Sequence, residues 1–189
     1  MLQTKLIDYA KIYNSYFDKE FCDLILCNVK DLNWSKHEYY DSANDNLNSY
    51  EDDLFVYFES FSLKEKLDEN IWFIINKYVR EDFSYMSDWF NNWNGYTLSR
   101  INKYDSRTRM RIHCDHIKNM FDGNRKGIPI LTVLGVLNED YEGGEFMLCG
   151  EKIELKTGDV IVFPSNFLYP HEVKPVKSGV RYSFVSWAW

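Results

Sequence analysis

The stretch His113-Cys114-Asp115, together with His171 further along the chain, decides how this sequence is interpreted. Successive side chains of a strand point to opposite faces, so His113 and Asp115 share a face and Cys114 points away. Two imidazoles and one carboxylate are the ligand set typical of non-haem Fe(II), and they leave coordination positions open for other molecules. The spacing therefore indicates an enzyme.

A His-x-Asp triplet alone is weak evidence, and the neighbouring His116 offers an alternative ligand. The chain has four histidines. Strand alternation turns His116 to the same face as Cys114, which favours an outer or surface position for it. The prediction gains weight because His113 and His171 both lie in strand-like segments with suitable companions.

Arg181 and Ser183 lie in the last predicted strand, which runs from Val180 to the C-terminus. Alternation places both side chains on one face. The planar guanidinium of arginine can bind a carboxylate through two parallel hydrogen bonds. Inside a small barrel an unpaired charge is costly, so a bound dianion would supply the partner of Arg181. The alternative is an ordinary solvated charge near the chain terminus.

Length and composition fit one compact domain. The chain has 189 residues, 14 Tyr, 13 Phe and 6 Trp, which is enough for a core built on large side chains. Its formal net charge of -7 disfavours non-specific binding to nucleic acid or to an anionic membrane.

The four cysteines show neither CxxC spacing nor a dense disulfide framework. We find no secretory hydrophobic region near the N-terminus and no apolar run long enough to span a membrane. Reduced thiols in a cytoplasm are the simplest interpretation.

The first part of the chain, residues 1–95, is predicted to be a mainly helical supporting region. Asp18 can cap one helix, and Ser62-Leu63-Lys64-Glu65 resembles a capping box before a second. A further aromatic helix is expected around Phe83 to Trp93. Residues 41–53 are predicted to be an exposed acidic loop, and residues 53–60 a short strand.

The second part, residues 96–189, alternates short β-type runs with turns and lacks intervening helices. This pattern predicts an antiparallel barrel or sandwich. The fold class is therefore mainly β with N-terminal helices, an α+β arrangement.

The segment from Ile101 to Trp189 resembles the catalytic core of the Fe(II)/2-oxoglutarate-dependent oxygenases, in particular the prolyl 4-hydroxylase-like branch and its small phage-encoded members. The motifs that carry the resemblance are Tyr104, His113-Cys114-Asp115, Leu137-Asn138, Tyr141-Glu142-Gly143-Gly144-Glu145, Lys156-Thr157-Gly158-Asp159, Phe163-Pro164-Ser165, Pro170-His171-Glu172-Val173, Gly179-Val180-Arg181-Tyr182-Ser183 and Trp187.

This resemblance implies a double-stranded β-helix, or jelly roll, in which His113, Asp115 and His171 bind Fe(II). Arg181 would hold the distal carboxylate of 2-oxoglutarate with help from Ser183, while Tyr104 and Thr132 would line the co-substrate pocket. Ascorbate would be a reductant. The departure from the family pattern is Val136, where some relatives have a tyrosine.

The resemblance also implies the reaction. Dioxygen and 2-oxoglutarate would be consumed, and succinate and CO2 released. Halogenating relatives have a small residue in place of the carboxylate ligand, so the presence of Asp115 favours hydroxylation. The favoured substrate is a peptidyl proline on a protein or peptide.

The basic strip Arg107, Arg109 and Arg111 could guide an acidic peptide or a nucleotide phosphate. Equally, its arginines could pair with the carboxylates that the chain has in excess. The 41–53 loop could be a lid over the substrate, although a solvated loop is the simpler interpretation.

Two other functions stay open. One is an oxygenase with the same iron core that acts on a nucleobase or a free small molecule, where a nucleic acid substrate would need more basic surface. The other is a non-catalytic barrel that binds a ligand or metal. For a phage-encoded protein, the expected location is the host cytoplasm.

Overall fold

The computed structural model describes residues 5–41, 46–85, 95–115 and 129–189. The prediction of an aromatic helix beyond Tyr85 and the alternative ligand His116 fall outside the described residues.

The described helices are a short 3-10 helix at Leu6–Tyr9, α1 (Lys19–Val29), α2 (Lys64–Lys77) and a π-helical turn at Tyr78–Asp82 that continues α2. None of the helices in the described ranges has the length and apolar character that a membrane span requires.

Most other elements are short strands, joined by turns. They are β1 (Lys11–Tyr13), β2 (Ser35–Lys36), β3 (Tyr39–Asp41), β4 (Asn46–Asn48), β5 (Phe55–Tyr57), β6 (Arg100–Tyr104), β7 (Met110–His113), β8 (Leu131–Val136), β9 (Tyr141–Gly143), β10 (Phe146–Leu148), β11 (Glu151–Ile153), β12 (Val160–Pro164), β13 (His171–Val173), β14 (Val176–Gly179) and β15 (Arg181–Ala188).

Two antiparallel sheets form the body of the fold. The larger has seven strands in the order β1-β12-β8-β15-β6-β5-β2, and the smaller has four in the order β11-β10-β13-β7. Apolar residues from both sheets, among them Val136, Phe163, Phe146 and Val173, pack into one buried cluster between them. The predicted double-stranded β-helix with mainly β content is confirmed.

Alternation along the strands of the larger sheet separates two environments. In β12, Val160 and Val162 belong to the cluster on the outer, helical side, whereas Ile161 and Phe163 belong to the cluster between the sheets. The period of two therefore gives each strand one face toward the helices and one toward the interior.

Helices α1 and α2 cover the outer face of the larger sheet. Ile25 of α1 and Ile71 and Ile75 of α2 are buried in the same cluster as the outward residues of the strands. As predicted, Asp18 caps α1, because its carboxylate accepts a 2.7 Å hydrogen bond from the backbone N–H of Phe21.

The predicted capping box at Ser62 is wrong. Helix α2 begins at Lys64, and the preceding Leu63 has a left-handed backbone and makes no side-chain capping bond. Lys64 is itself buried, and its ammonium donates to the carbonyl oxygen of Ser99. A tertiary contact therefore sets this helix end instead of the local sequence.

Strands from the first 95 residues extend the larger sheet. β1 pairs with β12 at one edge, and β5, in the segment predicted to be a short strand, pairs with β6 at the other side. Both additions join the sheet through backbone hydrogen bonds, so this region contributes strands as well as covering helices.

Gly158 provides a test of the turn before β12. Its φ of +84° is unfavourable for other residues, and a Cβ there would lie 2.0 Å from the carbonyl oxygen of Phe17. We expect Gly158→Ala to lower the free energy of unfolding by about 3 kcal/mol, the sum of backbone strain and overpacking. Urea denaturation measures this change.

Gly150 is the matched control for this substitution. It also has a positive φ, of +82°, but a Cβ there would meet nothing within 4 Å. Gly150→Ala should cost only the backbone strain, about 1 kcal/mol. Equal losses for the two variants would contradict the role of the Phe17 contact.

Candidate metal centre and co-substrate pocket

The two histidines of the predicted ligand set face each other across two paired strands. His113 is the last residue of β7 and His171 the first of β13, and the antiparallel register places them opposite each other. Their ring centroids are 4.3 Å apart. Asp115 follows β7 by two residues, on the same face as His113.

These three side chains converge on one point. One ligand atom from each of His113, Asp115 and His171 lies within 4.8 Å of the other two. The Nε2 atom of His113 is 3.3 Å from one oxygen of Asp115, and Nε2 of His171 is 3.5 Å from the other oxygen. A small cation between them would be bound by two nitrogens and one oxygen, which is the set that suits Fe(II).

Backbone carbonyl groups orient both imidazoles. Nδ1 of His113 lies 2.7 Å from the carbonyl oxygen of Arg111, and Nδ1 of His171 lies 3.1 Å from that of Tyr169. An Nδ1–H that donates to each carbonyl leaves the lone pair of Nε2 free for a metal.

The carboxylate ligand is held by hydroxyl groups. The Thr132 hydroxyl donates a 2.7 Å hydrogen bond to Asp115 and also lies 2.7 Å from the hydroxyl of Ser165. Thr132 is fully buried in β8. The resemblance assigned Thr132 to the co-substrate pocket, whereas its contact in the structure is with the metal-binding carboxylate.

Burial and neighbouring groups favour the metal-binding forms of Asp115 and His171. Asp115 is 3% exposed. Burial alone would raise the pKa of Asp115, but His171, His113 and the Thr132 hydroxyl outweigh it and hold the pKa below its usual range. Burial lowers the pKa of His171, which favours the neutral imidazole. An ionised carboxylate and neutral imidazoles are the forms that bind a metal.

Arg181 lies in the interior beside Tyr104. The two residues are opposite each other in the β15–β6 pair, and the guanidinium is 5.0 Å from the centre of the Tyr104 ring. The side chain is 1% exposed. It donates a 3.0 Å hydrogen bond to Ser183, while its buried Nε has no partner among the residues that the structure describes.

Within the described part of the chain no carboxylate forms an ion pair with Arg181. The arginines that form ion pairs with carboxylates there are Arg109 and Arg111. A buried cation without a counter-charge is expensive, so the pocket fits an anionic ligand. The Nε of Arg181 offers such an anion a further donor. Val136, opposite Ser183 in the β15–β8 pair, is apolar and offers no side-chain hydrogen bond there.

The basic strip is largely engaged by acids from the end of the 41–53 segment. Arg109 forms a 2.7 Å ion pair with Asp52, and Arg111 binds both Asp52 and the fully buried Asp53. The sequence left open whether these arginines guide a substrate or pair with carboxylates. For Arg109 and Arg111 the structure shows the pairing with carboxylates. Asp52 and Asp53 thus fix the end of that segment against β7.

Sequence reasoning assigned no role in the site to two buried polar residues, Arg100 and His37, whose pKa values respond to the charge of Asp115. Arg100 shares the inward face of β6 with Asn102 and Tyr104, so the period of two from Tyr104 could have found it. His37 comes from the distant β2–β3 region, and nothing in the local sequence indicates that it lies near this site.

Fold and site together define a class: a double-stranded β-helix protein with a two-histidine, one-carboxylate metal site and a buried arginine for an anion. Residues 99–189 match the family model of the 2OG-Fe(II) oxygenase superfamily.

Curated proteins are similar to part of the chain. The sequence is 34% identical over 76 residues to a PKHD-type hydroxylase of Prochlorococcus marinus, which is 38% of this chain and 34% of that protein. It is 34% identical over 98 residues to a PKHD-type hydroxylase of Stenotrophomonas maltophilia, which is 49% of this chain and 43% of that protein. The chain therefore spans less than half the length of these curated relatives.

Solved structures are similar over nearly the whole chain. A prolyl hydroxylase from Trichoplax adhaerens, in complex with a hypoxia inducible factor oxygen degradation domain peptide fragment, has a TM-score of 0.66 at 21% identity, with 96% of this chain and 84% of that chain covered. The 2OG complex of a viral collagen prolyl hydroxylase from Paramecium Bursaria Chlorella virus-1 has a TM-score of 0.63 at 18% identity, with 95% and 94% covered. At these identities the likeness establishes the fold.

Thr132→Val tests the support of the carboxylate ligand. Valine keeps the shape of the side chain but removes the hydroxyl that donates to Asp115. We expect the affinity for Fe(II) to fall by about tenfold to a hundredfold, as for other residues that orient a metal ligand. An anaerobic Fe(II) titration measures it. Thr157→Val, in the turn before β12, is the control and should leave the affinity unchanged; an equal loss in both variants would contradict the assignment.

Proposed function

We propose that this protein is an Fe(II)- and 2-oxoglutarate-dependent dioxygenase that hydroxylates a C–H bond of a peptidyl proline. One oxygen atom of O2 enters the product hydroxyl group, and the other enters succinate as 2-oxoglutarate loses CO2. The observation that carries the proposal is the convergence of His113, Asp115 and His171 in the same interior that buries Arg181, which has no counter-charge among the described residues.

The chain's own residues hold and orient the reactants. Iron, when bound, supplies the activation of dioxygen. His113, Asp115 and His171 would hold it, and Thr132 fixes the orientation of the Asp115 carboxylate. Arg181 binds the distal carboxylate of 2-oxoglutarate, and the Ser183 hydroxyl and the Tyr104 ring form the wall of that pocket.

A peptide is the substrate class that the comparisons favour. The relatives are named PKHD-type hydroxylases, and a similar structure was solved with a peptide fragment bound. A nucleic acid substrate would need accessible basic surface, and two arginines of the strip are engaged with Asp52 and Asp53. The same iron core acting on a free small molecule is the alternative that substrate screening would detect.

Three further features complete the proposal. We infer one domain for residues 1–189, because β1 and β5 from the first part pair with strands of the second.

All four cysteines are free, which supports a location in a reducing cytoplasm. Ascorbate is proposed as the reductant that returns the metal to the ferrous state.

Succinate formation tests the core of the proposal. We expect the purified protein to convert 2-oxoglutarate to succinate only when Fe(II) and O2 are present, with more turnovers when ascorbate is added. Mass spectrometry of candidate proline peptides, nucleosides and amino acids should show a gain of one oxygen on the peptide. His113→Ala and Asp115→Ala should reduce turnover to background, because each removes a metal ligand, while circular dichroism shows an intact fold.

A folded, iron-loaded protein that makes no succinate would contradict the proposal and favour the non-catalytic barrel. Oxygen incorporation into a nucleoside or a free amino acid instead of a peptide would keep the iron chemistry and overturn the substrate class.

Arg181→Gln tests the co-substrate pocket. The amide retains polarity but loses the charge that pairs with the distal carboxylate, and charged hydrogen bonds contribute about 1.5–3 kcal/mol. We therefore expect the KM for 2-oxoglutarate to rise by about tenfold to a hundredfold, with kcat at saturating 2-oxoglutarate much less affected. Arg109→Gln, which removes an ion pair with Asp52, is the control. An unchanged KM in Arg181→Gln would show that 2-oxoglutarate binds elsewhere.

A further inference from the structure

A second buried arginine, Arg100, lies at the other end of the strand pair that holds Arg181. Arg100 is the first residue of β6 and is only 6% exposed. Its Nε donates a 2.9 Å hydrogen bond to the side-chain oxygen of Asn102, and its guanidinium lies 4.9 Å from the centre of the Trp187 ring. Among the residues that the structure describes, no carboxylate forms an ion pair with it.

Two residues, Trp187 and Thr132, connect this arginine to the metal centre. Trp187, under the guanidinium, is opposite Thr132 in the β15–β8 pair, and Thr132 donates to the metal-binding Asp115. Burial lowers the pKa of Arg100, whereas Tyr104 and Asp115 raise it, so the charge of the carboxylate ligand acts on the guanidinium. Arg100 therefore faces the interior beside the metal site.

Two further buried polar groups, in His37 and Trp187, have no hydrogen-bond partner among the described residues. His37 is 9% exposed, and its Nδ1 makes no hydrogen bond within the described structure. Burial, followed by the charge of Arg100 and by His113, lowers the pKa of His37 to about 3, so the imidazole is neutral. The indole N–H of Trp187 is likewise buried without an acceptor. Buried polar groups without partners are uncommon, and a bound water, ion or ligand can satisfy them.

Arg100 and Arg181 are suited to two different anions. In the β15–β6 pair Arg181 is opposite Tyr104, whereas Arg100 is opposite Val185. The four-residue separation along β6 corresponds to about 13 Å of strand. Since Arg181 is assigned to the co-substrate, Arg100 is available for a group of the substrate.

We propose that Arg100, with His37 and the indole N–H of Trp187, binds a carboxylate of the substrate close to the carbon that is hydroxylated. This inference rests on the proposed oxygenase function and adds a substrate class to it, a proline beside a carboxylate. The carboxylate belongs either to an acidic side chain next to the proline or to the proline itself at a chain end. A guanidinium already removed from water discriminates strongly between a carboxylate and the corresponding neutral amide, because only the anion compensates its charge.

Binding of matched pairs of small ligands tests the site without turnover. The protein is loaded with redox-inactive Zn(II) and saturated with 2-oxoglutarate, and calorimetry measures the Kd of each ligand. One pair is N-acetyl-Pro-Asp-amide and N-acetyl-Pro-Asn-amide, in which the carboxylate is on the neighbouring side chain. The other is N-acetylproline and N-acetylprolinamide, in which it is on the proline.

The acidic member of one pair should bind about tenfold to a hundredfold more tightly than its amide, as expected for a charged hydrogen bond. The pair that shows this preference identifies the source of the carboxylate. Equal or undetectable binding of both members in both pairs would overturn the proposal.

Arg100→Gln should abolish the preference, because the amide cannot compensate the charge of the ligand. Arg109→Gln, which removes an exposed arginine paired with Asp52, should retain it. If Arg100→Gln fails to fold, Arg100→Lys serves in its place and should reduce the preference, since lysine keeps the charge but lacks the planar pair of donors. A preference that persists in a folded Arg100→Gln variant would overturn the proposal.

Succinate formation without added peptide separates this inference from the function on which it rests. If the wild-type protein produces succinate with Fe(II) and 2-oxoglutarate but the ligand pairs show no preference, only the carboxylate site is wrong. If the folded, iron-loaded wild-type protein produces none, the proposed function itself is wrong, whereas the ligand pairs still decide whether Arg100 binds a carboxylate.

Discussion

The pairing of β7 with β13 is the constraint on which the rest of the site depends. Its register places His113 opposite His171, and the chain that leaves β7 returns Asp115 to the same point two residues later. Backbone carbonyls then fix the two rings, and Thr132 from the other sheet fixes the carboxylate. A shift of the register by one residue would turn one histidine to the opposite face and remove the site.

The interior between the sheets is unusual because it buries positive charge. Arg181 and Arg100 are both more than nine-tenths buried, and within the described residues neither forms an ion pair with a carboxylate. In contrast, Arg109 and Arg111 at the surface are matched by Asp52 and Asp53. The surface arginines therefore have carboxylate partners in the described structure, whereas the interior arginines form no such ion pairs. Anionic ligands would offset the cost of burying those charges.

Local sequence signals succeeded where the interactions are local and failed where a distant contact decided the outcome. The Asp18 cap was predictable because donor and acceptor are three residues apart. The start of α2 was not, because the buried contact of Lys64 with Ser99, far along the chain, sets it. Strand β1 was missed for a similar reason: it is three residues long, and only its pairing with β12 makes it a strand.

The sequence by itself determined the chemistry of the metal site, because strand alternation already groups His113 with Asp115 and Arg181 with Ser183. It also determined the mainly β character of the second part of the chain. Only the tertiary structure decided that Thr132 contacts the carboxylate ligand, that Asp52 and Asp53 engage the basic strip, and that His37 and Arg100 enter the same interior. The physical reason is that these contacts join strands far apart in the chain, and their register follows from packing of the whole sheet.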